Sequence, residues 1–111
     1  MDFQRQKPIY LQIADRLMEQ ILAGQPAEGE RMASVRDVAA AMGVNPNTVM
    51  RSFDYLQGEE IIYTKRGLGY YVSDGARDRI IAEQRRQFLE EELPLIRQRM
   101  KVLGISPDVL I

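Results

Sequence analysis

Ala33-Ser34-Val35-Arg36, Gly43-Val44-Asn45-Pro46-Asn47-Thr48-Val49 and Arg66-Gly67-Leu68-Gly69-Tyr70-Tyr71-Val72 are the three runs whose reading decides the fold of this chain. Ser34 has the character of a helix N-cap, because its hydroxyl can accept from a free amide of the next turn. Asp37, three residues on, is a carboxylate variant of the capping box. The helix so begun is expected to end near Gly43, with Val38, Ala39 and Met42 toward the core. Asn45 is the next N-cap, and Pro46 occupies the first helical position with φ already set. That helix should run to about Gly58, with Val49, Phe53 and Leu56 as its apolar stripe and Asn47, Thr48 and Arg51 elsewhere near its start. Ile61 to Lys65 and Tyr70 to Ser73 alternate as short strands, and Lys65 to Gly69 is the turn between them. Two short helices joined at a glycine turn and followed by a β-hairpin make a winged helix-turn-helix. This order places a polar helix end and a basic loop where a DNA groove can receive them.

Outward from this centre, a first helix is expected from about Ile9 to Ala23. Pro8 suits its first turn and Gly24 its end, and Leu11, Ala14, Leu17, Met18, Ile21 and Leu22 give one buried face. Gln25 to Met32 reads as a connection, with Pro26 and Gly29 as turn residues. From Ala76 the chain turns helical and charged, without glycine until Gly104. Pro94 interrupts it, which predicts one helix to about Glu92 and another from Pro94 to Leu103, either separate or continuous through a kink. Leu89, Leu93, Ile96, Met100 and Leu103, with Phe88 beside them, form a stripe spaced four, three, four, three. Such a stripe suits packing either on the first helix or on a partner chain. Ser106-Pro107-Asp108 has the form of a new helix start. The expected class is α+β and mostly helical. A winged helix-turn-helix domain over 1–75 precedes a short helical tail over 76–111.

A chain of 111 residues, 45% apolar, is long enough for one small packed domain and an appendage. It contains neither cysteine nor histidine, which excludes disulfides, cysteine-zinc sites, thiol catalysis and the commonest general base and metal ligand. No apolar run approaches membrane-spanning length, and Met1-Asp2-Phe3-Gln4-Arg5 does not read as a signal peptide, so a soluble cytoplasmic protein is expected. Nothing pairs a nucleophile with a base, so no enzyme and no cofactor are expected. Glu90-Glu91-Glu92 reads as a solvated face before the kink and not as a metal site. The net charge of −1 counts against nucleic acid overall. Phosphates, however, respond to local charge within about 8 Å.

The local charges therefore carry the functional expectation. Arg36 opens a helix, where the macrodipole disfavours a cation, yet its guanidinium fits phosphate and guanine edges. Asn47 and Thr48 stand at a helix N-terminus after a glycine turn, a position suited to groove contact, and the amides there suit a phosphate. Asn45 is first a cap. Lys65 and Arg66 stand next to Gly67, which lets backbone approach closely, so they are expected to reach toward phosphates or a minor groove. Gly67-Leu68-Gly69 is not a nucleotide-binding loop, since strand rather than helix follows it. Tyr63, Tyr70 and Tyr71 are expected to pack the wing and core and not to stack on bases. The alternative function from a different class is a winged-helix protein-interaction module without DNA binding, which the acidic balance favours.

Residues 8 to 73 resemble the N-terminal domain of GntR-type bacterial transcription regulators. The resemblance lies in Ser-Val-Arg at 34–36, Gly-Val-Asn-Pro-Asn-Thr-Val at 43–49, Tyr-Leu at 55–56 and Gly-Leu-Gly-Tyr-Tyr-Val at 67–72. The Asn-Pro-Asn-Thr-Val form and the short helical tail are most similar to the YtrA subfamily. The resemblance implies a repressor that binds a pseudo-palindromic double-stranded operator as a homodimer, with the tail as the dimerisation region. It implies DNA contacts from Ser34, Arg36, Asn45, Asn47, Thr48, Arg51, Arg66 and Gly67, and it turns Phe88, Leu89, Leu93, Ile96, Met100 and Leu103 toward a partner. Pro46 and Met50 stand where many members carry arginine or another polar residue, and Ala33 replaces a common proline. No residue cluster announces an effector.

Overall fold

In a computed structural model that describes residues 7–110, α1 spans Ile9–Leu22, α2 Val35–Met42 and α3 Pro46–Gly58. The two strands are β1, Ile62–Lys65, and β2, Gly69–Val72. The tail comprises α4, Ala76–Gln87, a π turn over Phe88–Glu92, α5, Leu93–Leu103, and a 3-10 turn over Pro107–Leu110. Met1 to Arg5, read above for a signal peptide, lie outside the described residues.

The local signals act as their chemistry requires. Asp37 N donates to Ser34 Oγ at 3.1 Å, and Asn47 N donates to Asn45 Oδ1 at 2.8 Å. Gly43 closes α2 with φ 67°, a left-handed conformation that glycine adopts without a Cβ clash. Residues Ile13, Ala14, Leu17, Met18 and Ile21 of α1 are buried, and Leu11 and Leu22 only half-buried. The buried stripe is thus turned slightly from the one expected, with Ile13 in place of Leu11. It meets Val38 and Ala39 of α2 and Val49, Phe53 and Leu56 of α3 in one core. Ser52 is the polar residue within it; its hydroxyl donates to Tyr10 O at 2.6 Å, so the buried group is satisfied and α3 is tied to α1.

β1 and β2 pair antiparallel from Ile62 with Val72 to Lys65 with Gly69. Burial does not alternate along them. Only Ile62 and Val72, at the base, are buried, because a two-stranded ribbon that projects from a core has no second layer to cover it. The segment before α2 is more than a connection. Gly29 N donates to Val72 O at 2.9 Å, Val72 N to Glu30 O at 3.0 Å and Met32 N to Tyr70 O at 2.8 Å. Arg31 thereby forms an isolated bridge with Tyr71, and this segment borders the free edge of β2.

The first turn of α4 is anchored from a distance. The Glu28 carboxylate accepts from Gly75 N at 2.6 Å and from Arg77 N at 3.3 Å, which caps the helix and sets a negative group at its positive end. Arg79 donates to Asp74 O at 2.8 Å and to Glu60 O at 3.2 Å, and Ala76 and Ile80 are fully buried. The first compact unit ends at Ile80 and the second begins at Ile81.

Of the two forms expected at Pro94, a break or a continuous helix, the second unit shows the continuous one. Glu92 (φ −83°, ψ −46°) and Leu93 (φ −60°, ψ −41°) are helical, and Leu93 N bonds to Phe88 O, five residues back. Proline lacks an N–H and its ring clashes with the carbonyl four residues earlier, here that of Glu90. The wider π turn accommodates both without breaking the helix. Arg86 bonds to Glu83 at 2.7 Å and to Glu90 at 3.0 Å and lies 3.5 Å from Glu91. The acidic run is therefore engaged by a cation and is not simply solvated. Glu83 and Glu90 hold the Arg86 guanidinium above its ordinary range. Among the described residues no helix is long and apolar enough to cross a membrane, and no acidic group has metal-binding geometry.

Candidate nucleic-acid interface

Ser34, Arg36, Asn45, Asn47, Arg51, Lys65, Arg66 and Gly67 are exposed, and Thr48 is half-buried. All lie in the first compact unit. Three elements supply them: the start of α2, the start of α3 and the wing turn.

The core fixes which side of α3 is available. Val49, Ser52, Phe53 and Leu56 face inward, so Pro46, Asn47, Met50, Arg51 and Asp54 face solvent. The first two turns of that outer side carry no acid, and the following turn carries Asp54. A phosphate is therefore tolerated near the amino end of the helix and repelled further along. Asn45 takes up the Asn47 amide with its side chain and the Thr48 and Val49 amides with its carbonyl, and Pro46 has no N–H, so α3 offers a ligand its first-turn side chains and not free amides.

Two cations are held by aromatic rings. The Arg51 guanidinium carbon lies 4.2 Å from the centre of the Tyr10 ring, and Lys65 Nζ lies 4.2 Å from that of Tyr71. Such contacts leave the charge intact and reduce the side-chain freedom lost on binding. The Tyr71 ring in turn stacks on Tyr63 at 5.9 Å, and Tyr70 sets its edge against Phe53 at 4.9 Å. All three wing tyrosines thus have protein partners. The Tyr70 hydroxyl also donates to Met50 Sδ at 3.7 Å, a direct tie between wing and α3.

The wing tip is a tight turn. Leu68 N donates to Lys65 O at 2.9 Å, and Gly67 at the third position has φ 77°. A negative φ at Arg66 followed by a positive one at glycine is the pattern of a type II turn. It projects Arg66, Gly67 and Leu68 together, all exposed.

Arg31 joins this surface from the segment before α2. A Cβ on Gly69 would stand 3.2 Å from Arg31 Nε, so the guanidinium rests on the wing beside the turn. No pattern in the sequence marks it, because its place depends on the bridge to Tyr71. Arg31, Lys65 and Arg66 make one basic edge, which accounts for local cationic character in a chain of net charge −1.

The tail residues divide. Phe88, Leu89, Ile96 and Leu103 are exposed, and Leu93 is half-buried. Met100, expected to face a partner, is instead buried at 9% exposure within the single chain. It lines an open groove of about 1010 Å³ together with Leu93, Arg97, Ile105 and Pro107, where the chain turns back at Gly104.

The model of the bacterial regulatory proteins of the gntR family matches residues 9–72. The HTH-type transcriptional regulator YhcF of Bacillus subtilis is 33% identical over 98% of this chain and 88% of its own length. The HTH-type transcriptional repressor YtrA of the same organism is 34% identical over 89% of this chain and 70% of its own. A GntR-family transcriptional regulator of Bacteroides thetaiotaomicron superposes with TM-score 0.77 at 47% identity, covering 93% of this chain and 89% of that one.

Proposed function

We propose that this chain, which belongs to the gntR family of bacterial regulatory proteins and is a DNA-binding transcription regulator, acts as a homodimeric repressor on a pseudo-palindromic operator. Each copy lays the amino end of α3 in a major groove and rests the wing on the adjoining phosphates or minor groove. The observation that carries this is the tie between the two surfaces. Tyr70 of the wing bonds to Met50 and packs on Phe53 of α3, so helix and basic turn are presented as one body.

Asn47 and Arg51 supply the base-edge donors and acceptors on α3, and Arg36 approaches from the start of α2. Ser34 and Asn45 are caps whose hydroxyl hydrogen and side-chain NH2, respectively, can donate to a phosphate. Thr48, half-buried, lies beside them. Lys65, Arg66 and Arg31 grip the backbone, and Gly67 permits its close approach. Pairing uses the exposed Phe88, Leu89, Ile96 and Leu103, with Leu93 at the edge. A large apolar face left open on a short helical tail fits a subunit interface. Repression follows the relative YtrA, which is named a repressor. A regulator of this kind works beside the bacterial chromosome, in the cytoplasm.

The test is a fluorescence-anisotropy titration on a duplex enriched by the protein from random DNA. Asn47→Ala and Arg36→Ala should each lose roughly 1–3 kcal/mol of affinity for it. Arg66→Ala should weaken enriched and random duplexes alike and lower the salt slope by about 1. Equal affinity of wild type and all three variants would remove this surface from the interface.

A further inference from the structure

We propose that Met50, with Pro46 one turn before it, reads the C5 methyl group of a thymine in the major groove and so sets the base preference of each half-site. The assignment rests on the DNA-recognition mode proposed above. Pro46, Asn47, Met50 and Arg51 all face solvent at the start of α3. Residues four apart lie one above the other on a helix, so this surface carries two parallel rows. One row, Asn47 and Arg51, is polar. The other, Pro46 and Met50, is apolar.

The apolar row is not part of the core. The core stripe of α3, Val49, Phe53 and Leu56, is fully buried on the other side, whereas Met50 is 40% exposed. Nor is the methionine loose. Its sulfur accepts from the Tyr70 hydroxyl at 3.7 Å, and the Tyr70 ring is fixed edge-on to Phe53 at 4.9 Å. The tether acts at Sδ, and the terminal methyl lies one bond beyond it. A flexible side chain is thereby partly ordered before any ligand arrives, which lowers the entropy lost on binding.

The chemistry of the row selects one base. In the major groove guanine presents two acceptors, cytosine a donor and adenine a donor and an acceptor, and only thymine presents an apolar group. Guanine and cytosine edges pressed against Pro46 and Met50 lose their water without gaining a comparable partner. Thymine gains an apolar contact. Attraction to one base and desolvation of the others act in the same direction.

The experiment uses the whole chain. Duplexes are enriched from a random pool, and the enriched half-site is resynthesised with deoxyuridine in place of each thymine in turn, which removes only the methyl. Burial of one methyl is worth about a fourfold change in Kd. The expected result is a fixed thymine in each half-site whose methyl loss weakens wild-type binding about fourfold. Met50→Ala should be indifferent to that loss, and so should Met50→Gln, which keeps the length and helix propensity of the side chain. Enriched half-sites without a fixed thymine, or the same uracil penalty in wild type and both variants, overturn the assignment and leave DNA recognition standing. Recovery of no enriched duplex overturns DNA recognition, and the assignment with it.

Discussion

Asn45 has two duties that a single substitution separates. Its side chain accepts from the Asn47 amide, so it starts α3 and at the same time fixes where the exposed first turn points. Asn45→Ala should cost about 1 kcal/mol of stability in a thermal or denaturant melt, and Asn45→Asp should restore most of it. An unchanged melt for the alanine variant would mean that α3 is started by its packing alone. At this scale the sequence was highly legible. Ser34, Gly43, Asn45 and Pro46 each act within three residues of themselves, and their chemistry is local. Ser52, Arg31 and Glu28 were opaque for the opposite reason. Ser52 bonds to Tyr10, Arg31 lies over Gly69, and Glu28 caps a helix that starts at Ala76. Each meaning depends on a residue tens of positions away.

Among the elements, the wing shows most clearly how backbone conformation becomes function. Gly67 at φ 77° lets a four-residue turn close and carries Arg66 and Leu68 outward. Gly67→Ala forces an L side chain into the left-handed region, at a cost of about 1 kcal/mol. That variant should lower both thermal stability and affinity for random duplex DNA, read by melting and by anisotropy. Full retention of both would show that the turn adopts another form on DNA. The hairpin itself was foreseen from its glycines and alternating residues, to within one residue at each strand. The extra bridge on β2 was not, because Gly29 to Met32 carry no strand pattern. At Pro94 the sequence allows a break or a continuous helix, and a π turn absorbs the proline into the continuous form. A single-sequence pattern of apolar spacing cannot distinguish those two solutions, since both keep Leu93, Ile96 and Met100 in helical order.

For the whole molecule, overall charge was a poor guide. The net charge is −1 and acids stand even beside the proposed contacts, Glu30 next to Arg31 and Asp37 next to Arg36, yet the wing turn itself carries none, and Arg31, Lys65 and Arg66 gather there. Position along the fold decides what a phosphate meets. The tail residues show the same limit of pattern reading. Leu89 and Ile96 are open to a partner, while Met100, in the same stripe, is already covered. The central claim is that two copies, joined through their tails, present the amino ends of both α3 helices and both wings to one duplex. Hydroxyl-radical footprinting of the enriched duplex tests it directly. Two protected patches related by symmetry, separated by one helical turn of roughly 34–36 Å or a small multiple, are the predicted result. A single patch, or no protection at concentrations that shift the duplex fully, would contradict it.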